Sequence, residues 1–154
     1  MANEKVETLI IGGGQAGLAM SAHLGKRAVP HLIVERYRIA ERWRSERWDS
    51  LVAHGPAWQQ IKAPIRCGVE VKSVERKADG SGFRAETSEG VIEASNVVAA
   101  TGPFQRPIIP AVVPPDAGIM QVHSNAYRNP GQLPEGAVMV VGAGSSGVQI
   151  ADEL

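Results

Sequence analysis

Short apolar runs separated by glycine-rich or polar segments organise this chain. Residues 9–11 and 31–35 are apolar runs of the length that a buried parallel strand requires. Between them, residues 15–26 place apolar or small side chains at helical spacing. The positions on that stripe are Gly17, Met20, Ser21 and Leu24. Gly25 is placed to end the helix and Pro30 prevents its continuation, so the pattern predicts a β-α-β unit with a right-handed crossover.

Further along the chain the hydrophobic period changes to two, which is typical of strands with one exposed face. The three alternating segments are residues 69–74, 83–87 and 91–94. Turn-forming residues at 79–82 and 88–90 separate them. Three short antiparallel strands in succession predict a β-meander over about residues 68–95.

The last third of the chain mixes apolar runs with proline-rich passages. Residues 97–100 are wholly apolar and predict a return to the buried parallel sheet. Residues 102–118 are rich in proline and predict an extended loop. Residues 119–123 predict a short strand, and residues 137–141 predict a second buried strand like the first one. The pattern then predicts a helix from residue 148 to the end of the chain.

The glycines that follow the first apolar run have the spacing G-x-G-x-x-G. Gly12 allows a tight turn from strand to helix, Gly14 lacks a Cβ that would block a pyrophosphate, and Gly17 permits close helix–strand packing. The helix N-terminus then directs N–H groups and a partial positive charge at the phosphates. Glu35 follows at the end of the second strand, where its carboxylate can accept both ribose hydroxyls and would repel a 2′-phosphate. This combination predicts a dinucleotide site.

Composition excludes several other classes of protein. Sixteen basic and sixteen acidic residues among 154 give no net charge that would favour nucleic acid or an anionic membrane. No apolar run approaches the roughly 20 residues of a membrane span, and the first residues lack the apolar core of a secretion signal, so we expect a cytoplasmic protein without a membrane span. Cys67 is the single cysteine, so these residues hold no disulfide and no redox-active cysteine pair.

Arginines interleaved with tryptophans fill the segment after the second strand. One interpretation is a solvated loop whose Trp rings cover part of the core, and the other is a loop that faces a ligand. Trp43 could pack in either way, and the sequence leaves the two open. Nucleic-acid binding is disfavoured because the net charge is zero and no recognised module surrounds the segment.

A second glycine fingerprint completes the pattern and leads to a family. Gly142, Gly144 and Gly147 repeat the first spacing, and two fingerprints around a meander resemble flavoproteins with two dinucleotide-binding domains. More closely, several segments resemble the flavin-containing monooxygenase-like family, and together they cover almost the whole chain. These segments are residues 35–51, 100–107, 123–124 and 127–130.

The resemblance implies the fold class: an α/β, FAD/NAD(P)-binding Rossmann-like three-layer fold with a parallel sheet and an antiparallel β-meander. It implies an FAD-binding domain over residues 1–110, and a linker with the start of an NAD(P)-binding domain over residues 111–154. The second domain is only begun, since residues 148–154 form about two helical turns and no strand follows them.

The resemblance also implies the cofactors and the reaction. The implied FAD-binding residues are Gly12, Gly13, Gly14, Gln15, Ala16, Gly17, Glu35, Arg36, Trp43, Ala100, Thr101 and Gly102. The implied NAD(P)H-binding residues are Gly142, Gly144, Ser145, Ser146 and Gly147. In the family, NAD(P)H reduces the flavin, O2 forms a C4a-peroxyflavin, and that species oxygenates a small-molecule substrate. The resemblance supplies neither a catalytic side chain nor a metal site, and His123 is expected to be structural.

The chain departs from the family pattern at several positions. Ala40 stands where the family has a glycine, and Gly118 is one place away from its position ahead of His123. Residues 59–64 are too few for the loop and helix that the family has there, so part of the layer over the FAD domain is expected to be missing. Two alternatives therefore stay open. One is a shortened, non-catalytic remnant with weak dinucleotide binding, and the other is a pyridine nucleotide–disulfide reductase relative, which the single Cys67 disfavours.

Overall fold

The structure is a computed structural model that describes residues 3–51, 62–102 and 106–154, with the backbone but not the side chain of Trp43. The predicted shortening around residues 59–64 therefore lies mostly outside the described residues, as do residues 103–105 of the family-like segment. The chain divides into two compact units. The first comprises Met1–Glu41 and Pro56–Pro103, and the second comprises Arg42–Gly55 and Phe104–Leu154.

Six strands and one long helix build the first unit. The elements in chain order are β1 (Asn3–Ile11), α1 (Gln15–Lys26), β2 (His31–Glu35), the short helix α2 (Glu41–Ser45) at the boundary of the units, β3 (Ile65–Cys67), β4 (Val71–Arg76), β5 (Phe83–Thr87) and β6 (Gly90–Ala99). They form one sheet of order β3-β2-β1-β6-β5-β4. The strands β3, β2, β1 and β6 run parallel to their neighbours, while β6, β5 and β4 pair antiparallel. The predicted mixed α/β fold with a meander is confirmed.

The long strand β6 belongs to both parts of the sheet. Its first half pairs antiparallel with β5, as in Ala85↔Ile92, while its length pairs parallel with β1, as in Leu9↔Val97. The sequence predicted two separate strands here, residues 91–94 and 97–100, and that separation was wrong. The intervening residues Ser95 and Asn96 are exposed, but they continue the backbone ladder without a turn.

The core lies on both faces of the parallel strands because successive side chains of a strand point to opposite faces. On one face Ile10 and Ile33 pack with Leu18 of α1. On the other face a second cluster joins parallel strands to the meander. Its buried members are Leu9, Val34, Val69, Ala85, Ile92 and Ala94. The helix and the meander therefore contribute to different clusters, which matches the layered arrangement that the sequence implied.

Helix α1 spans the predicted residues, but Gly25 does not form its C-terminal turn as predicted. The backbone turns at Ala28, whose φ is +55°, and not at Gly25, which lies within the helix. Ala28 donates its N–H to the carbonyl of Gly25, and Val29 donates to that of Leu24, which closes the last turn. The buried stripe also differs: Leu18 is buried, whereas Met20 is 37% exposed.

The second unit has its own small core. Trp48, Tyr127 and Ile150 are buried together, and Leu51, Val122 and Leu133 pack against them. The N–H of Asp49 donates to the carbonyl of Arg128 at 2.8 Å, which joins the two chain segments of this unit. Its regular elements are the 3₁₀ turn Pro130–Gln132 and the helix α3 (Ser145–Glu153). None of the helices in the described residues is long and apolar enough to cross a membrane.

Two predicted strands of the second unit do not form. Residues 119–123 and 137–141 have no regular structure, and most of their apolar side chains are exposed, with Ile119 at 62% and Met139 at 72%, whereas Val122 is half-buried against the core of the second unit. The apolar pattern of a buried strand is present, but a strand needs neighbours for its backbone groups, and no residue in the described part of the chain pairs with either segment. Helix α3 begins at Ser145, three residues earlier than predicted.

Candidate functional site

The first glycine turn joins β1 to α1 at the carboxyl ends of the parallel strands. Gly12 has φ +110°, and a Cβ there would collide with the carbonyl oxygen of Ala100. A Cβ on Gly17 would collide with the carbonyl oxygen of Gly12. The Gly12 N–H donates to the carbonyl of Val34 at 2.8 Å. These two glycines are therefore required by packing, as the sequence predicted for the tight turn and for close helix–strand contact.

Gly14 has a different environment. No atom of the described residues lies within 4 Å of the position that its Cβ would take, so they leave the space in front of it open. Gly14 is the N-cap of α1 and accepts the first helical hydrogen bond, from Leu18 N–H at 3.0 Å. The first N–H groups of a helix have no intrahelical acceptor, and no side chain caps this helix. Gln15 and Ala16, which belong to this first turn, are exposed. The turn is therefore an open cradle of the kind that binds phosphates.

Glu35 lies beside this cradle, at the end of β2. Its Oε2 accepts the N–H of Gly13 at 2.6 Å, and its Oε1 accepts the N–H of Tyr37 at 2.9 Å. Gly13 is itself buried, and its carbonyl accepts the N–H of Ala40 at 3.1 Å. The carboxylate predicted to bind a ribose is therefore held next to the turn predicted to bind the pyrophosphate.

Arg36, the next predicted binding residue, makes only surface contacts. Its guanidinium lies 3.8 Å from the carboxylate of Glu70 and 4.6 Å from the ring centroid of Tyr37. Both partners of the ion pair are about half exposed, so the pair contributes little to stability. The guanidinium is therefore directed toward Glu70 and the Tyr37 ring and stays partly exposed to solvent.

Residues Ala100, Thr101 and Gly102 follow β6 at the same edge of the sheet. The Ala100 N–H donates to the carbonyl of Ile11 at 2.8 Å, and the Ala100 side chain is buried. Thr101 and Gly102 are exposed, and Gly102 has φ +81°. Ala100 and Thr101 therefore lie against the first glycine turn, at the carboxyl ends of the parallel strands, where ligands of open α/β sheets bind.

The second glycine turn repeats the backbone of the first. Gly142 has φ +110°, the value found at Gly12, and a Cβ on Gly147 would collide with the carbonyl oxygen of Gly142. Gly144 is an extended N-cap like Gly14, with φ −76° against −83°. It accepts the Val148 N–H at 3.0 Å, and its Cβ position is open. Ser145 is exposed and Ser146 is half-buried in the first turn of α3.

Three further positions complete the account of the predicted residues. Trp43 lies within α2, and the environment of its side chain is outside the described part of the structure. Ala40, which replaces a family glycine, has φ +56°, a conformation that favours glycine. His123 accepts the N–H of Asn125 on Nδ1 at 3.1 Å, as expected of a structural histidine in a turn.

Sequence reasoning missed two neighbours of the cradle. Tyr37 supplies a backbone donor to Glu35, and Ile65 of β3 reaches to within 2.8 Å of where a Cβ on Gly13 would lie. One signal in the sequence pointed to this contact. Gly13 occupies a position that the fingerprint leaves free, and the second fingerprint has Ala143 there.

A glycine turn between a parallel strand and a helix, with a carboxylate at the end of the next strand, defines a Rossmann-like dinucleotide-binding fold. Comparison with known proteins then identifies the family. The family model of the pyridine nucleotide-disulphide oxidoreductases matches residues 57–154, which is more than half of the chain. The chain therefore belongs to the pyridine nucleotide-disulphide oxidoreductase family.

Individual relatives confirm the resemblance to flavin monooxygenases. An uncharacterized CzcO-like oxidoreductase of Geobacillus kaustophilus is 38% identical over 181 residues, covering 97% of this chain and 51% of that protein. A probable indole-3-pyruvate monooxygenase, YUCCA4 of Arabidopsis thaliana, is 27% identical and covers 95% of this chain and 43% of that protein. A solved flavin monooxygenase from Stenotrophomonas maltophilia superposes with a TM-score of 0.80 at 23% identity, covering 97% of this chain and 54% of that one.

The alignments also bear on length. The chain spans about half the length of the curated relatives it matches. The aligned stretch of 181 residues is longer than the whole 154-residue chain, so the Geobacillus protein contains at least 27 aligned positions that this chain lacks. The chain is therefore internally shorter than that protein, and the location of the shortening after Trp58 stays a prediction.

Proposed function

We propose that this chain carries the FAD-binding site, and the first part of the NAD(P)H-binding site, of a flavin-dependent oxidoreductase of the monooxygenase class. The observation that carries the proposal is the repeated glycine turn. Two loops of one chain share the +110° glycine, the extended N-cap glycine and the helical glycine packed on the turn. Two such turns suit an enzyme that holds two dinucleotides.

The first glycine turn and Glu35 fit the pyrophosphate and the ribose of FAD. The Cβ position of Gly14 is open, so a pyrophosphate could approach the backbone there, and the uncapped N-terminus of α1 favours an anion. Glu35 retains acceptor capacity beyond its two backbone bonds, since a carboxylate has about four lone-pair positions. The ribose hydroxyls of the adenosine would occupy these positions.

Each remaining residue has a definite part in this proposal. Gly12 and Gly17 shape the turn, and the N–H groups of Gln15 and Ala16 face the pyrophosphate. Arg36 beside the ribose would contact phosphate or adenine, and Thr101 with Gly102 would meet the ligand through backbone. When bound, FAD would supply the redox chemistry, which is acceptance of a hydride from NAD(P)H and transfer of one oxygen atom from O2 to a small molecule.

The second turn would bind the pyrophosphate of NAD(P)H. Gly144 has the open environment of Gly14, and the hydroxyl groups of Ser145 and Ser146 stand in the first helical turn, where they can donate to phosphate oxygens. The second candidate function is dinucleotide binding without turnover. The exposure of Met139 and Val141 favours this second function. Residues 137–141 should form the strand that precedes the second glycine turn, but they have no strand neighbours in the described residues.

Titration of purified protein with FAD, followed by quenching of flavin fluorescence, tests the first site. We expect micromolar or tighter binding by the natural sequence. Gly14→Ala should weaken it at least about tenfold, because the new methyl occupies the open cradle. Gly25→Ala is the matched control, since its Cβ also enters open space but lies near the other end of α1. Absence of FAD binding, or equal binding by both variants, contradicts the proposal.

Oxidation of NADH and NADPH under air distinguishes the two candidate functions. Protein that holds FAD and consumes NAD(P)H supports the oxidoreductase, and Gly144→Ala should then raise the KM for NAD(P)H without weakening FAD binding. Protein that holds FAD but does not consume NAD(P)H supports the second candidate.

A further inference from the structure

The carboxylate of Glu35 is bound to the glycine loop itself. Its Oε2 accepts the N–H of Gly13 at 2.6 Å, and its Oε1 accepts the N–H of Tyr37 at 2.9 Å. Gly13 lies between the turn glycine Gly12 and the open cradle glycine Gly14. Both carboxylate oxygens are therefore fixed by backbone donors, and one of those donors belongs to the pyrophosphate subsite.

The glycine at position 13 is a second, independent observation. The G-x-G-x-x-G pattern does not require it, and the second fingerprint has Ala143 at the equivalent position. A Cβ on Gly13 would lie 2.8 Å from Cδ1 of Ile65 and 3.1 Å from Cβ of Glu35. The end of the Ile65 side chain can yield, but the Cβ of Glu35 is attached directly to the backbone of β2. Glycine therefore lets Glu35 approach the loop without a displacement of β2.

We propose that Gly13 and Glu35 form a latch that holds the first glycine loop in its phosphate-binding conformation, which makes Glu35 a positioning residue for the pyrophosphate as well as a ribose ligand. The inference rests on the proposed FAD site. The latch and the negative charge of Glu35 predict opposite effects on anion binding when the Glu35 side chain is removed. A carboxylate next to an anion should weaken binding of that anion, and its removal should strengthen binding. The latch predicts the opposite when the hydrogen-bond acceptor is removed.

Inorganic pyrophosphate tests this consequence because it has no ribose to contact Glu35. Glu35→Ala removes the acceptor for Gly13 N–H and should weaken pyrophosphate binding about tenfold. Glu35→Gln keeps one acceptor oxygen, enough for the Gly13 N–H but not for the Tyr37 N–H as well, and should bind pyrophosphate more tightly than Glu35→Ala does. Glu7→Ala, which removes an exposed carboxylate from β1, is the control for a general change of charge. Unchanged or tighter pyrophosphate binding by Glu35→Ala overturns the latch.

Exchange of the Gly13 amide proton, measured by NMR without ligand, gives a readout that does not depend on the proposed function. The latch predicts a protected Gly13 amide in the natural sequence and in Glu35→Gln, with loss of about tenfold in protection in Glu35→Ala. The amide of Ile11 in the neighbouring strand should keep its protection and reports an intact sheet. Equal exchange at Gly13 in all three proteins overturns the latch.

A double-mutant cycle completes the test. Gly13→Ala should weaken pyrophosphate binding in the natural background but add little in a Glu35→Gly background, because Glu35→Gly removes both the acceptor of the Gly13 N–H and the Cβ that the new methyl would meet. Additive effects contradict the coupling. If the natural sequence binds neither FAD nor pyrophosphate, the proposed function fails, while the exchange experiment still decides whether the latch exists.

Discussion

Ala40 offers a sharp test of the link between sequence pattern and backbone conformation. Its φ is +56°, a conformation that favours glycine, and its side chain is 3% exposed. An alanine in the left-handed region costs about 1–2 kcal/mol, which Ala40→Gly would relieve. The same change removes a buried methyl, which lowers the free energy of unfolding by about 0.8 kcal/mol. It also gives the unfolded chain more conformational freedom, which lowers the free energy of unfolding by a further ~0.4–1 kcal/mol. The terms nearly cancel, so we expect a change in the free energy of unfolding of less than about 1 kcal/mol.

Two other alanines isolate the separate terms. Ala28 also has a positive φ, +55°, but is exposed at the end of α1, so Ala28→Gly keeps the relief without losing buried area and should stabilise by about 0.5–1 kcal/mol. Ala85 is 1% exposed in β5 and has no such strain to relieve. Ala85→Gly should therefore destabilise by about 1.5 kcal/mol.

Urea unfolding followed by far-UV circular dichroism gives the three free energies. The expected order of stability is Ala28→Gly, then Ala40→Gly, then Ala85→Gly. The reasoning is refuted if Ala40→Gly destabilises the protein as much as Ala85→Gly does, because the left-handed conformation would then contribute no strain. It is also refuted if Ala28→Gly is destabilising.

Three further predictions concern packing and charge. Gly17→Ala should destabilise by about 1–3 kcal/mol in urea unfolding because its methyl meets the Gly12 carbonyl, and a neutral result would contradict that contact. A hydrogen bond from Arg66 lowers the pKa of Glu4. This half-exposed pair therefore contributes about 0.5 kcal/mol of stability above the ordinary pKa of a glutamate, and that contribution is lost as the pH falls through the lowered pKa. Glu4→Gln should remove that part of the pH dependence of the free energy of unfolding. Burial and the Glu153 carboxylate raise the pKa of Tyr127, and Tyr127→Phe should cost about 1 kcal/mol, measured by thermal unfolding.

The first unit was largely predictable because its signals are local and mutually consistent. The runs 9–11 and 31–35 are short and apolar, and glycines and a proline mark the ends of the helix between them. Strand β2 and helix α1 have the predicted bounds, whereas β1 begins at Asn3, six residues before the predicted apolar run. A second exception is the C-terminal turn of α1, which was expected at a glycine. Backbone hydrogen bonds close the last turn instead, and they place Ala28 in the left-handed region.

The candidate site was predictable in its residues but not in its contacts. Spacing alone identified Gly12, Gly14 and Glu35, because a fixed turn and a fixed strand length determine which residues meet. The bond from Gly13 to Glu35 and the approach of Ile65 depend on how β3 joins the sheet after the connection formed by residues 36–64. Side-chain contacts of this kind come from tertiary packing, which a periodic pattern does not encode.

The two fingerprints separate what a sequence determines locally from what it leaves to its neighbours. Gly142 has the same φ as Gly12, and Gly147 packs on its turn as Gly17 does, although no strand precedes the second turn. The turn is thus set by positive-φ glycine and by helix initiation within a few residues. Strand formation at 137–141 instead requires hydrogen-bond partners on either side, as Leu9 has in β2 and β6. A glycine fingerprint therefore predicts the phosphate cradle even where the sheet that normally supports it is absent from the described chain.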